Sequence, residues 1–79
     1  MITFYVNKDC FSIKGERVRR FHDAGDHPFY YHAYKNNRHV RETRADSPYG
    51  CLQNLGLIED WNADTLNKIK KDNLNEFVN

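Results

Sequence analysis

A chain of 79 residues with a formal net charge of +1 and 39% apolar residues allows one domain, 1–79, with one small core. Five Tyr, five Phe and one Trp stand against only thirteen Val, Ile and Leu, so the core is small and rich in rings. These figures argue against a large enclosed active-site cavity and against a whole-molecule polyelectrolyte, and no apolar run approaches the ~20 residues a bilayer demands.

Ile2, Phe4 and Val6 alternate with Thr3 and Tyr5, which predicts a half-buried strand interrupted at Asn7-Lys8-Asp9. Phe11 to Val18 predicts a hairpin turning at Lys14-Gly15, with Phe11 opposite Val18 and Ser12 opposite Arg17. His22 to Pro28 has Gly, Pro and two Asp without periodicity and predicts a loop. Phe29 to Arg44 predicts a second hairpin about Asn36-Asn37, because asparagine tolerates the left-handed region that a type I′ turn requires. That turn pairs 35 with 38, 34 with 39, 33 with 40, 32 with 41 and 30 with 43. One face then carries Phe29, Tyr31, Ala33 and Val40 toward the core. The other carries Tyr30, His32, Tyr34, His39, Arg41 and Thr43, and a slip of one residue would exchange the two sets.

Ser47-Pro48 predicts a capped helix start, with Cys51, Leu52 and Leu55 as the apolar stripe and Gly56 as the residue that ends the helix in a Schellman motif with Leu57. Leu57, Ile58 and Trp61 read as an apolar connector. A second helix starts near Asn62 and carries Leu66, Ile69, Leu74, Phe77 and Val78 inward, with Asn73 intruding on the stripe. The fold class expected is α+β: a small antiparallel β-meander of three to five strands followed by two C-terminal helices packed on one sheet face. Core candidates are Phe4, Val6, Phe11, Val18, Tyr31, Ala33, Val40, Leu52, Leu55, Ile58, Trp61, Leu66 and Phe77.

Charge is divided along the chain. Residues 1–45 hold nine Lys/Arg against five Asp/Glu, and residues 46–79 hold three against six, so a basic first half precedes an acidic second half. Cys10 and Cys51 stand alone without a Cys-x-x-Cys, which excludes a zinc ribbon or a thioredoxin-type site and suits two reduced thiols. The start of the chain lacks the basic segment of a signal peptide, and the expected location is cytoplasmic.

Four constellations bear on function. The first is the outer face of the Asn36-Asn37 hairpin, where Tyr30, His32, Tyr34, His39 and Arg41 would meet solvent together. Tyr and Arg are the residue types of protein hot spots, and equally those that stack bases and grip phosphates. Arg17 and Arg19, with Arg20 beside them, would widen this into a positive patch, and these seven residues from Arg17 to Arg41 form the expected binding surface. The third, His22, Asp23, Asp26 and His27, offers metal-ligand types within a single loop, which reads as a plain loop, so no metal or other cofactor is assigned. The fourth is His32 with His39, diagonal neighbours beside Arg41, a set able to supply acid, base and phosphate stabilisation. P-loop, dinucleotide and Ser-nucleophile motifs are absent.

The reading that follows is a small non-catalytic binding protein acting on a macromolecule, a protein in preference to a nucleic acid, since the total charge is close to neutral. A direct nucleic-acid-binding module is the alternative, and a small metal-independent ribonuclease the third. With nine Asn and five Tyr and no catalytic signature, the chain resembles in general character the accessory proteins of phages and mobile elements that inhibit host machinery, anti-CRISPR proteins among them. That resemblance rests on style and covers no particular stretch.

Overall fold

The computed structural model describes residues 1–17 and 29–77. The order of elements is β1 (Ile2–Val6), β2 (Asp9–Arg17), β3 (Phe29–Lys35), β4 (Arg38–Ala45), α1 (Pro48–Glu59), α2 (Ala63–Asp72) and a short α3 (Leu74–Phe77). The strands form one antiparallel sheet in the order β1-β2-β3-β4, a meander with the helices packed against it, so the fold is α+β.

Asparagines at positive φ make the first and last reversals. Asn7 (φ 58°) turns β1 into β2, and Asn36 (φ 51°) and Asn37 (φ 69°) turn β3 into β4, as their tolerance of the left-handed region predicts. The expected turn at Lys14-Gly15 does not form. β2 runs straight through it, with Lys14 opposite His32 and Gly15 opposite Tyr31. Gly15 serves a close approach: a Cβ there would stand 2.7 Å from Cε2 of Tyr31, whose ring lies over the bare backbone. Val18, the expected partner of Phe11, lies outside the described residues.

The β3–β4 hairpin starts in the expected register, with 35 opposite 38, 34 opposite 39 and 33 opposite 40, and then departs from it. Tyr31 pairs with Ala45, so β4 carries a bulge over residues 41–44. The expected pairs 32–41 and 30–43 are absent. Thr43 turns inward and is fully buried. Its Oγ1 accepts from the Ala33 N–H at 2.8 Å and donates to the Val40 carbonyl at 2.6 Å. The hydroxyl is interposed between two backbone groups that an unbroken ladder would join directly.

α1 starts where the sequence says, with the Ser47 side chain accepting from the Gly50 N–H at 3.0 Å and Pro48 in the first turn. It does not stop at Gly56. The left-handed residue is Asp60 (φ 58°), and the bonds from Trp61 N–H to the Gly56 carbonyl and from Asp60 N–H to the Leu57 carbonyl close a Schellman motif one turn later than expected. Gly56 is buried because Leu66 of α2 packs where a side chain would stand, its Cδ2 2.9 Å from an added Cβ. Leu57 is accordingly on the helix surface, 81% exposed, and Ile58 is also exposed, so neither joins the core. Asn62 caps α2 by accepting from Thr65 N–H at 2.9 Å, with Asp64 at the positive end of the helix and Lys70 and Lys71 at the negative end. The intruding Asn73 breaks the helix, its Nδ2 donating to the Ile69 carbonyl, and α3 follows.

Between sheet and helices, Phe4 stacks on Phe11 at 5.7 Å and Trp61 stands edge-on to both, 4.9 Å from Phe11. Ile2, Ile13, Ala33, Cys51, Leu52, Leu55, Ile69 and Phe77 complete the buried cluster, with Val6, Tyr31 and Leu66 partly buried against it. Truncating Leu52 or Leu55 to Ala would cost about 2–5 kcal/mol. Phe29, expected on the core-facing side of the hairpin, is 46% exposed. Cys10 and Cys51 are free thiols, and burial pushes that of Cys51 up to about 11. Among the described residues no helix is long and apolar enough to cross a membrane.

Candidate functional site

The face of the sheet opposite the helices is set by strand alternation. Phe11, Ile13, Tyr31 and Ala33 point to the helices, so Ser12, Lys14 and Glu16 of β2 and Tyr30, His32 and Tyr34 of β3 point away from them, with His39 of β4 opposite Tyr34. Tyr5, Lys14, His39 and Arg44 are exposed, which places this face at the molecular surface.

His32 is the centre of an aromatic cluster. Its ring lies edge-on to Tyr30 at 5.5 Å, to Tyr34 at 5.3 Å and to His39 at 4.4 Å. Those neighbours leave it only 7% exposed although it lies on the face away from the described core. Nδ1 of His32 and Nε2 of His39 are 2.8 Å apart and share a hydrogen bond. On its other side, His32 Nε2 is buried and lies 3.4 Å from Glu16 Oε1, an ion-pair distance without hydrogen-bond alignment. The second oxygen of Glu16 accepts from the Tyr30 hydroxyl at 3.5 Å. A proton on His32 Nε2, facing the carboxylate, leaves Nδ1 as acceptor and makes His39 Nε2 the donor. Burial and the neighbouring His39 hold the His32 pKa below its ordinary value, with Glu16 opposing them and Lys14 adding to them.

Arg44 places its guanidinium 4.1 Å from the centre of the Tyr30 ring. It occupies the role expected of Arg41. The bulge shifts the register so that residue 44 returns to this face, while Arg41 falls within the bulge and is exposed. Arg17 is also displaced from expectation. With β2 unbroken it shares the helix-side alternation of Phe11 and Ile13, and its guanidinium lies 5.7 Å from the Phe29 ring. Arg19 and the His22, Asp23, Asp26 and His27 group lie outside the described residues. Among the described residues no group of three or more His, Cys, Asp or Glu could hold a metal ion.

The structure thus joins Tyr30, His32, Tyr34 and His39 in one patch and adds Glu16, Lys14 and Arg44, which sequence reasoning missed. The signal for Glu16 and Lys14 was present: Phe11, Ile13 and Gly15 alternate with Ser12, Lys14 and Glu16 as a single strand would. Arg44 carried none, because nothing local in Arg41-Glu42-Thr43-Arg44 announces a bulge. No family model, curated protein or solved structure matches the chain.

Proposed function

We propose that this is a non-catalytic binding protein that engages a protein partner through the outer sheet face, with Tyr30, Tyr34, His39 and Arg44 as contact residues and His32 as their buried support. The observation that carries this reading is the Arg44 guanidinium stacked on Tyr30 at 4.1 Å, with His32 between Tyr30 and a second tyrosine, on the face opposite the described helices. Tyrosine and arginine supply much contact area at small entropic cost when their rotamers are already held, and here ring packing and the Glu16–Tyr30 contact hold them. A protein partner is favoured because Glu16 lies within the patch and net charge is +1, a poor match to a phosphate backbone. A reducing, cytoplasmic setting suits the two free thiols. Inhibition of host machinery, in the manner of phage accessory proteins, is one use of such a surface.

The test is affinity capture with wild type, Tyr30→Ala/Arg44→Ala and Arg41→Ala, with and without nuclease. The double variant should lose its captured protein while its thermal midpoint stays within a few degrees of wild type, and Arg41→Ala should retain it. Capture abolished by nuclease, with affinity for a single-stranded RNA probe falling steeply with salt, would move the assignment to nucleic acid. RNA cleavage lost on His32→Ala and His39→Ala would instead make the imidazole pair a ribonuclease site.

A further inference from the structure

The sheet ends in two edges that are built differently. β4 carries Arg38, Arg41, Glu42 and Arg44 and is broken by its bulge, the devices that keep an edge from taking on another strand. β1 has none of them. Ile2–Val6 holds no charge, no proline and no glycine, and it pairs with β2 in unbroken register.

The backbone groups on that edge that no described strand takes up can be assigned. Cys10 directs its N–H to Oδ1 of Asn36 at 2.9 Å and its carbonyl to the Asn36 N–H at 2.7 Å, both on the β3 side. Its partner across β1 and β2 is Tyr5, which is therefore in a non-hydrogen-bonded pair and points its own N–H and carbonyl away from β2. The period of two extends this to Thr3. The edge offers a donor and an acceptor from each of two residues placed symmetrically about Phe4.

Such a row is complementary to itself. An antiparallel copy centred on Phe4 sets Thr3 opposite Tyr5 of the second chain and Tyr5 opposite its Thr3, and each of these backbone groups finds a partner. Ile2 then faces Val6, and Phe4 faces Phe4, on the helix side. Tyr5, 71% exposed in the single chain, lies beside threonine on the outer side. No like charges meet within the strands. An open groove of about 480 Å³ runs between β1 and α2 and gives the second chain room, and its walls include both Lys68 and Asp72, so a two-fold axis brings opposite charges to the same interface.

We propose that β1 is a homodimerisation edge on which a second copy of this chain adds its own β1, antiparallel and centred on Phe4, to make one continuous sheet across both copies. The axis stands normal to the sheet, so both outer faces lie on the same side and the dimer presents the Tyr30, Tyr34 and Arg44 surface twice. This edge contact is independent of what that surface binds.

The experiment is sedimentation equilibrium with amide hydrogen exchange on wild type, Thr3→Pro and Tyr5→Lys. Proline at position 3 removes an outward N–H and no bond of the β1–β2 ladder, and lysine at position 5 sets like charge across the axis region. Wild type should approach twice 9.4 kDa, with Thr3 and Tyr5 amides protected increasingly as concentration rises. Each variant should weaken the dimer at least about tenfold while keeping the far-UV spectrum of the diluted wild type. Wild type that stays at 9.4 kDa with these two amides exchanging freely at the highest concentration overturns the proposal. So does a dimer that survives in both folded variants, or a monomer protected at Thr3 and Tyr5 only when a foreign extended peptide is added. Should a variant fail to fold, the wild-type mass and amide protection still decide.

Discussion

The two hairpins at the ends of this sheet begin alike and finish differently. Both reverse on asparagine at positive φ. From there β1 and β2 pair without a fault from Val6↔Asp9 to Ile2↔Ile13, whereas β3 and β4 stay in step only as far as Ala33↔Val40. The first hairpin has a single demand to meet, Ile2 and Phe4 against the core. The second must also bring Thr43 under α1 and Arg44 back to the outer face. The bulge does both. It is held from the helix as well as from the strands, because Nδ2 of Asn54 in α1 donates to the carbonyls of Thr43 and Arg44, both at 3.3 Å. Turn chemistry sets where a hairpin starts, and tertiary demand sets how far its register survives.

That contrast can be broken most sharply at Thr43. Thr43→Val keeps the volume but strips the hydroxyl from between Ala33 N–H and Val40 C=O, and should cost about 2–3 kcal/mol in chemical denaturation. Ser12→Ala, on the regular side of the sheet, should cost under about 0.5 kcal/mol. Equal losses would mean that the hydroxyl does not hold the bulge. The turns offer a second comparison. Asn7→Ala and Asn36→Ala each put a residue without asparagine's local side-chain hydrogen bonding at positive φ, at about 1 kcal/mol apiece. Asn36 alone also bonds to Cys10 and to Oδ1 of Asp9, so its replacement should cost about 1 kcal/mol more, read as the difference between the two denaturation midpoints.

The smallest effect is one of pH. The folded state holds the His32 pKa below its ordinary value of 6.5, so below that value the unfolded chain binds more protons than the fold. Stability from this residue is complete above about pH 6.5 and declines as pH falls through the depressed folded value. Thermal midpoints of wild type and His32→Gln across mildly acid pH should converge on acidification. Parallel curves would show that the ring does not titrate against the fold.

Much of this architecture is legible from residue order. Asn36-Asn37, Ser47-Pro48 and Asn62 each satisfy local backbone requirements with their own chemistry, and each marks its element where the structure has it. The alternation of Tyr30, His32 and Tyr34 also brings those three rings to one face. The glycines mislead. Gly15 and Gly56 look like a turn and a helix end, yet both are places where a distant side chain, Tyr31 or Leu66, comes too close for a Cβ. Composition cannot separate a glycine needed for its torsion from one needed for its smallness, because the second need belongs to another part of the chain. The same reason hides Arg44 and moves Arg17 to the other face: alternation is certain only within an unbroken strand.

The Asn36 side chain has one more consequence. Its Nδ2 donates a hydrogen bond to Oδ1 of Asp9 at 3.0 Å while its Oδ1 accepts one from the Cys10 backbone N–H. Hydrolysis of that amide, the slow chemistry by which asparagine ages to aspartate, would replace the donor with an anion facing Asp9. Two carboxylates would then confront each other where the start of β2 meets the β3–β4 turn. A molecule so altered would carry a loosened seam there, and added acid, by returning a proton to the pair, would partly close it.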